Sequence, residues 1–414
     1  FFAMLKLREV VIVSACRTAI GSFGGVFKDV PTAKLSEAVM AEAVKRAKID
    51  KAIIEDVKFG NCFPDVSSLN VARVGALLAG IPDTVPASTI NRVCTSGMSC
   101  LHDAVMSISA GYQDCMLVGG VENMTQAPYI LPTARWGTRL QDGPCYDGLT
   151  RGLHVGSHFI PYPLNGPVKN FRGKPYIMGL TAEFLALKYN ITREEQDALA
   201  LRSHQNAERA TKEGRFAAEI VPIEVKQKKK KVMIDKDDHF RPNLKIDELV
   251  GLPPAFIPKT GTVTAGNSSG INDGASALIV MAREKATALG IKPLATVTGI
   301  AMGGCPPEVM GESPVVSIKN LLAKTGKKVD DYDLIEMHEA FAAQYLACEK
   351  ALGFSREKAN VNGSGVGLGH PVGSSGSRII VSLLHELQKT GKKTGLGAIC
   401  GGGGVSLATE ITLE

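Results

Sequence analysis

The chain has 414 residues, with 44% hydrophobic and 21% charged side chains and a formal charge of +6. That composition excludes disordered and fibrous classes, and the length asks for two or three domains or one large α/β unit with an insertion. The modest charge suits an anionic small molecule but not nucleic acid, which needs a concentrated basic face, and apolar runs of strand length exclude a membrane span.

The start, "FFAMLKLREVVIVSACRT", enters a strand pattern almost at once, without the apolar core and cleavage site of a signal peptide. "EVVIVSACRT" reads as a buried strand, and "AKLSEAVMAEAVKRAKI" as an amphipathic helix. A strand at "VKFGNCF" and a helix at "NVARVGALLAG" follow, then "NRVCTSGMSC", which puts Cys94 at the brink of a helix. Leu101, Ala104, Val105 and Ile108 carry that helix at helical spacing, and the strand "CMLVGG" ends at Gly119-Gly120. Free cysteine is among the most buried residue types, so Cys94 alone reads as packing or as a nucleophile.

From about residue 294 the same order recurs. A strand "LATVTGIAM" precedes a helix "VVSIKNLLAK", a strand "DLIEMHEAF" and a helix "AAQYLACEKALG". After the glycine-rich "NGSGVGLGHPVGSSGSR" comes a helix with Ile380, Leu383, Leu384 and Leu387 on one face, then the strand "GLGAIC" and "GGGG". Two β-α series of matching order predict an α/β fold of two similar α/β layers packed face to face, with mostly parallel strands. The echo sets Cys94 and His370 at equivalent points, each opening the last helix of its half, where sites gather in open α/β sheets.

The expected divisions are 1–124 for the first half, completed by about 256–285, then 125–255 as an insertion and 286–414 as the second half. The insertion starts as a Pro- and Gly-containing meander and carries two helices, the second behind a capping-box pattern from Thr192 to Glu195. It ends in "EVKQKKKKVMIDKDDHFRP", read as an exposed hairpin whose lysines, Lys228 to Lys231, guard a solvated edge. The nine cysteines are odd in number and irregularly spaced, with no C-x-x-C pair. They predict neither a disulfide framework nor a zinc site, but reduced thiols in a cytoplasmic compartment.

Four pieces need a joint explanation: "VCTSG" at Cys94, "HEAF" at His338 to Phe341, "GLGHPVGSSG" around His370, and "CGGGG" from Cys400. With "GGVENMTQAPY" and "GTVTAGNSSGINDGA", and in this order, they resemble the thiolase family over essentially the whole chain from Val10. The resemblance implies reversible acyl transfer between CoA and acetyl-CoA through an acyl-cysteine: condensation to, or thiolysis of, a 3-ketoacyl-CoA such as acetoacetyl-CoA. It implies that Cys94 is the acylated nucleophile, that His370 takes its proton, and that Cys400 is the acid/base at the α-carbon. A helix opening just after Cys94 would favour its thiolate, and a thiol with an ordinary pKa of about 8.5 can serve in both directions. By the same resemblance the backbone N–H groups of Cys94 and Gly402 form one oxyanion hole, and His370 with a water held by His338 forms the other.

Where the family commonly has asparagine this chain has His338, and "HEAF" marks a subset related to the thiolase of the fatty-acid β-oxidation trifunctional complex. The resemblance implies a thiolase-like fold of two similar βαβαβαββ-type halves layered α/β/α/β/α, with an inserted loop domain. It also implies Ser269 and Ala265 at the pantetheine, Met178 and Met310 near the acyl group, Phe341 as a further substrate-binding residue, and Arg241 as a partner for the nucleotide phosphates. Biosynthetic acetoacetyl-CoA thiolases often carry histidine where this chain has Ile177. No metal and no cofactor are expected beyond CoA thioesters as substrates. A homodimer or homotetramer is, with an association to a β-oxidation enzyme also in view. Related condensing enzymes lack the second cysteine, and a non-catalytic acyl-CoA- or lipid-binding relative would need none of Cys94, His370 and Cys400. The 363–369 turn lacks the context of a dinucleotide loop.

Overall fold

The computed structural model describes residues 7–227 and 230–414; Lys228 and Lys229 of the lysine run lie outside the described residues. The first half contributes β1 (Val10–Thr18), α1 (Thr32–Ala47), β2 (Asp56–Gly60), α2 (Val71–Leu78), β3 (Ala87–Ile90), α3 (Ser96–Ser109) and β4 (Cys115–Asn123). The chain then leaves for the insertion, which holds α4 (Met178–Lys188), α5 (Arg193–Lys212) and a hairpin of β5 (Ile223–Gln227) with β6 (Lys230–Ile234). It returns as β7 (Asn272–Ala282), which slots between β1 and β4 and completes the first half's sheet.

The second half repeats the series with β8 (Ala295–Gly304), α6 (Ser313–Thr325), β9 (Leu334–Met337), α7 (Ala342–Leu352), α8 (Val372–Thr390), β10 (Thr394–Gly401) and β11 (Val405–Leu413). All nine main strands run in the order β9-β10-β11-β8-β1-β7-β4-β2-β3 through one eleven-stranded sheet. Within the sheet the two halves meet where Val11 and Ile12 of β1 pair with Thr296 and Ala295 of β8. Helices α3 and α8 pack on each other and on strands of both halves, so they form the central layer; α1 and α2 lie against the first half's sheet, and α6 and α7 on the second's side.

Two local expectations are corrected. The strands are not mostly parallel: β2 is parallel to β3 and β4, and β9 to β10, while the pairs β4–β7, β1–β7, β8–β11 and β10–β11 are antiparallel. Every residue of β1, β4 and β7 is buried because helices cover both sheet faces, and covering both faces gives continuous apolar runs whatever the strand direction. The strand read as "DLIEMHEAF" stops at Met337, and "HEAF" forms the turn into α7.

Other expectations hold. Thr192 and Glu195 make the reciprocal capping box at α5, with the Thr192 N–H donating to Glu195 Oε2 at 2.7 Å. The β5–β6 hairpin is a separate two-stranded sheet, with Lys230 and Lys231 exposed and Lys231 paired to Glu224. Among the described residues no helix is long and apolar enough to cross a membrane.

Candidate active site

Cys94 sits on a sharp turn between β3 and α3. The residue before it, Val93, has φ of 51°, a left-handed conformation that a β-branched side chain adopts only under constraint. The constraint is a set of short hydrogen bonds. Asn91 Oδ1 accepts from the Val93 N–H at 3.0 Å, and Ser96 Oγ accepts from the Arg92 N–H at 2.8 Å while donating to the Val93 carbonyl at 2.6 Å. Thr95 Oγ1 closes the turn by donating to the Arg92 carbonyl at 2.7 Å. The asparagine, threonine and serine of "NRVCTSG" are therefore the clamps of a strained elbow.

Burial, not the helix, governs the acidity of Cys94. The backbone N–H of Gly402 and its own N–H both favour its thiolate, yet burial outweighs them and pushes the thiol up to about 11. The helix start that would favour a thiolate is thus outweighed, and Cys94 is held as a thiol.

His370 lies within the same cavity as Cys94. It follows Gly369, whose φ of 100° turns the chain at the end of the glycine-rich segment, and precedes Pro371, the cap of α8. Ser375 Oγ donates to the Pro371 carbonyl at 2.9 Å, so its hydroxyl proton is committed and it accepts from His370 Nδ1 at 2.6 Å. The proton of the neutral ring is thereby placed on Nδ1, leaving Nε2 as the free lone pair. Nε2 is buried and has no protein partner. Burial, with the Arg378 guanidinium adding to it, holds His370 down to about 3, so the imidazole is neutral.

His338 lies beside it, the ring centroids 4.2 Å apart. Neither of its ring nitrogens has a protein partner, and burial followed by the neighbouring His370 and Arg378 keeps its pKa well below the usual value. Cys400 ends β10, fully buried. Its thiol is held well above the ordinary range, first by burial and then by the charge that Cys94 would carry. Gly402 follows in the turn to β11; a Cβ there would meet Val155 at 2.7 Å and the Met178 sulfur at 3.0 Å, so only bare backbone fits against this wall.

Cys94 and His370 line a cavity of about 690 Å³, while His338, Cys400 and Gly402 lie outside its lining. Its wall on the nucleophile side is formed by Cys62, Phe63, Val93, Met124, Leu153 and Val372, all packed in the cluster that contains Cys94. The opposing wall holds Val155, Met178, Met310, Phe256 and Phe341, from the cluster that contains Cys400. Cys94 thus lines the cavity itself, and Cys400 packs in the cluster that supplies the other wall. Ala265 and Ser269 also line the cavity; Ala265 is exposed, and the Ser269 N–H is tied to the Ala340 carbonyl of "HEAF" at 3.0 Å. Arg241 is apart from this group: it is exposed, does not line the cavity, and its backbone N–H donates to His204 Nδ1 at 3.2 Å.

Three residues escape the sequence reading. Ser375 orients His370, Cys62 lines the cavity beside Cys94, and Glu122 ties the two halves together. The buried Glu122 carboxylate accepts from Asn61 Nδ2 at 2.6 Å and from the backbone N–H groups of Cys62, Phe63 and Gly373 at 2.9, 3.0 and 2.8 Å. Burial nevertheless raises it to about 7. "GGVENM" and "GSSG" contain Glu122 and Ser375 but give no sign of which atoms they meet. Among the described residues no group of three or more side chains is arranged to hold a metal ion.

Comparison with known proteins agrees over the whole length. Residues 10–284 match the thiolase N-terminal domain and residues 291–413 the thiolase C-terminal domain. The acetyl-CoA acetyltransferase of Syntrophomonas wolfei is 48% identical over 408 residues, covering 98% of this chain and 99% of that protein. The crystal structure of the Bacillus anthracis acetyl-CoA acetyltransferase superposes with a TM-score of 0.92 at 44% identity, covering 99% of this chain and 100% of that one. Human mitochondrial 3-ketoacyl-CoA thiolase in complex with CoA superposes at 0.90 with 39% identity and 99% coverage of both chains. The paired halves, the cysteine from each, and these likenesses place the chain in the thiolase family.

Proposed function

We propose that Cys94 carries the acyl group, that His370 takes its thiol proton, and that Cys400 handles the proton at the α-carbon of acetyl-CoA. The chain is an acyltransferase of the thiolase type, exchanging 3-ketoacyl-CoA and CoA with acyl-CoA and acetyl-CoA. The observation that carries this reading is that Cys94 and His370, with its free Nε2, line one apolar cavity, with the Gly402 N–H favouring the Cys94 thiolate.

In thiolysis, His370 Nε2 takes the Cys94 proton as the sulfur attacks the 3-keto carbon. The bond between C2 and C3 breaks, and the departing enolate takes the proton of Cys400. CoA then attacks the acyl-cysteine, its thiol proton replaces the one Cys400 gave up, and His370 returns its proton to Cys94. Condensation is the reverse. Burial, which holds both cysteines protonated and His370 neutral, supports this inventory of protons at the start of thiolysis. Negative charge on thioester oxygen falls to the N–H groups of Cys94 and Gly402 in one half-reaction. In the other it falls to protonated His370 with a water on His338, whose unpartnered ring nitrogens suit that role.

Met178, Met310 and Phe341 border the acyl group, Ser269 and Ala265 the pantetheine, and Arg241 the nucleotide phosphates. CoA thioesters are the substrates, and no cofactor is needed. His338 and Ile177 support a place in fatty-acid β-oxidation, with a β-oxidation enzyme as a partner. Exposed Trp136, Leu140 and Phe159 on the insertion support a homodimer or homotetramer, and the nine free cysteines support a reducing, cytoplasmic compartment.

The test is a thiolysis assay with CoA and 3-ketoacyl-CoA substrates of increasing chain length, with the acyl-enzyme mapped by mass spectrometry. Cys94→Ala should form no acyl-enzyme; an acyl adduct on any other residue of the wild type overturns the assignment. Activity rising with chain length supports the β-oxidation reading, and activity confined to acetoacetyl-CoA refutes it.

A further inference from the structure

The geometry points to Asn272 as a positioning residue for His370, locked in place by His239 of the insertion. Asn272 opens β7 and is fully buried. Its Oδ1 accepts from the His370 N–H at 2.8 Å, and its Nδ2 donates to the Gly21 carbonyl at 3.1 Å. An N–H on one side and a carbonyl on the other leave only one orientation of the amide.

Nδ2 also faces His239 Nδ1 at 3.2 Å, so that ring nitrogen is an acceptor and the His239 proton lies on Nε2. A further hydrogen bond joins His239 to the backbone of Val366, inside the glycine-rich turn that leads to His370. His239 in turn stacks on His204 at 6.1 Å. A chain of hydrogen bonds therefore runs from the insertion through Asn272 to the main chain of the catalytic histidine.

The glycines on either side give this contact its closeness. A Cβ at Gly369 would lie 2.6 Å from the Asn272 amide, and one at Gly270 would lie 2.2 Å from His239. Neither neighbour could be anything but glycine with the amide so close. His370 is thus held at two points. Ser375 sets its ring and tautomer, and Asn272 sets its backbone, so Nε2 has one place to be. The active-site histidine belongs to the second half, its clamp to the returning strand of the first half, and the lock on that clamp to the insertion.

This inference rests on the reading of His370 as the base, and the experiment separates the two. CoA-dependent cleavage of acetoacetyl-CoA to acetyl-CoA is followed in Asn272→Ala, Asn272→Asp, His239→Ala and His370→Ala. Asn272→Ala should lower kcat by about ten- to a hundredfold with KM within about twofold, the cost of a misplaced base rather than of lost binding. Asn272→Asp keeps an acceptor for the His370 N–H and should recover at least half of that loss on a logarithmic scale. His239→Ala should lower kcat by a smaller factor, again without moving KM.

Full kcat in Asn272→Ala overturns the assignment, as does an Asn272→Asp variant no better than the alanine. If Asn272→Ala does not fold, His239→Ala decides: a lowered kcat at unchanged KM supports the chain of contacts, and wild-type kcat refutes it. If His370→Ala keeps full activity, it is the reading of His370 that fails.

Discussion

The central layer offers a sharp test, because α3 and α8 cross where both carry glycine. A Cβ on Gly376 of α8 would lie 2.5 Å from the Met98 nitrogen and 2.9 Å from its Cβ; one on Gly97 of α3 would lie 2.5 Å from Ser377 Oγ. Ordinary contact begins near 3.4 Å, so Gly376→Ala must part the helices by close to 1 Å. Overpacking of this kind costs about 1–3 kcal/mol, while alanine regains up to about 1 kcal/mol of helix propensity, so the net loss of stability is at most about 3 kcal/mol. Activity should suffer more. Cys94 precedes α3 and His370 precedes α8, and a displacement of about 1 Å between reacting groups costs on the order of a hundredfold in rate. The assay pairs the acetyl-CoA burst from acetoacetyl-CoA with calorimetry of the same preparation. A folded Gly376→Ala protein with an undiminished burst rate would refute the argument that this crossing sets the distance between thiol and base.

Cys400→Ala should still acylate at Cys94 when given an acyl-CoA but lose carbon–carbon bond formation and cleavage by several orders of magnitude, read by mass spectrometry and by the thiolysis assay. With His370 held down to about 3 and Cys94 up to about 11, the acylation rate should show no inflection between about pH 5 and about pH 8; a step near 6.5 would show His370 titrating as an exposed imidazole. Stability should fall in acid. His102, His204 and His370 are each held down to about 3 and return to 6.5 on unfolding, so below 6.5 the unfolded chain binds more protons and gains on the fold. From about 4.5 upwards the raised carboxyls of Asp273 (about 6), Glu122 (about 7) and Glu336 (about 8) act in the opposite sense, keeping protons that the unfolded chain releases. Denaturation midpoints should therefore drop most steeply below about pH 4.5, where the histidines act unopposed; a midpoint constant down to pH 3 would refute the buried neutral histidines.

The internal echo and the four motifs were legible because each is local: a cysteine before a helical period, a histidine after glycines, a cysteine closing an apolar strand. They were enough to identify the family and the layered α/β halves. What stayed hidden is what depends on residues far apart in the chain. Asn272 meets His370 across 98 positions and Glu122 meets Gly373 across 251, and neither pairing leaves a spacing to read. Strand direction was misread because burial on both faces writes the same apolar run in either direction. The resting acidity of Cys94 was out of reach because a helix start is visible in sequence and the depth of burial is not. Ile177 was noted as a departure, and it does line the cavity, but the wall of Cys62, Phe63 and Leu153 opposite carried no motif.

The late return of β7 bears on how the chain comes off the ribosome. Val10 to Arg17 find their partners at Ser276 to Ala282, so more than half the chain must be synthesised before the first sheet has its middle strand. Contacts of such long range are slow to form and leave strand edges open meanwhile. Until then neither the Asn272 clamp nor the Glu122 tie to Gly373 exists, and Cys94 has no base beside it. A nascent or truncated chain therefore holds a thiol without the apparatus to use it, and reactivity arrives only with the last segments to be made.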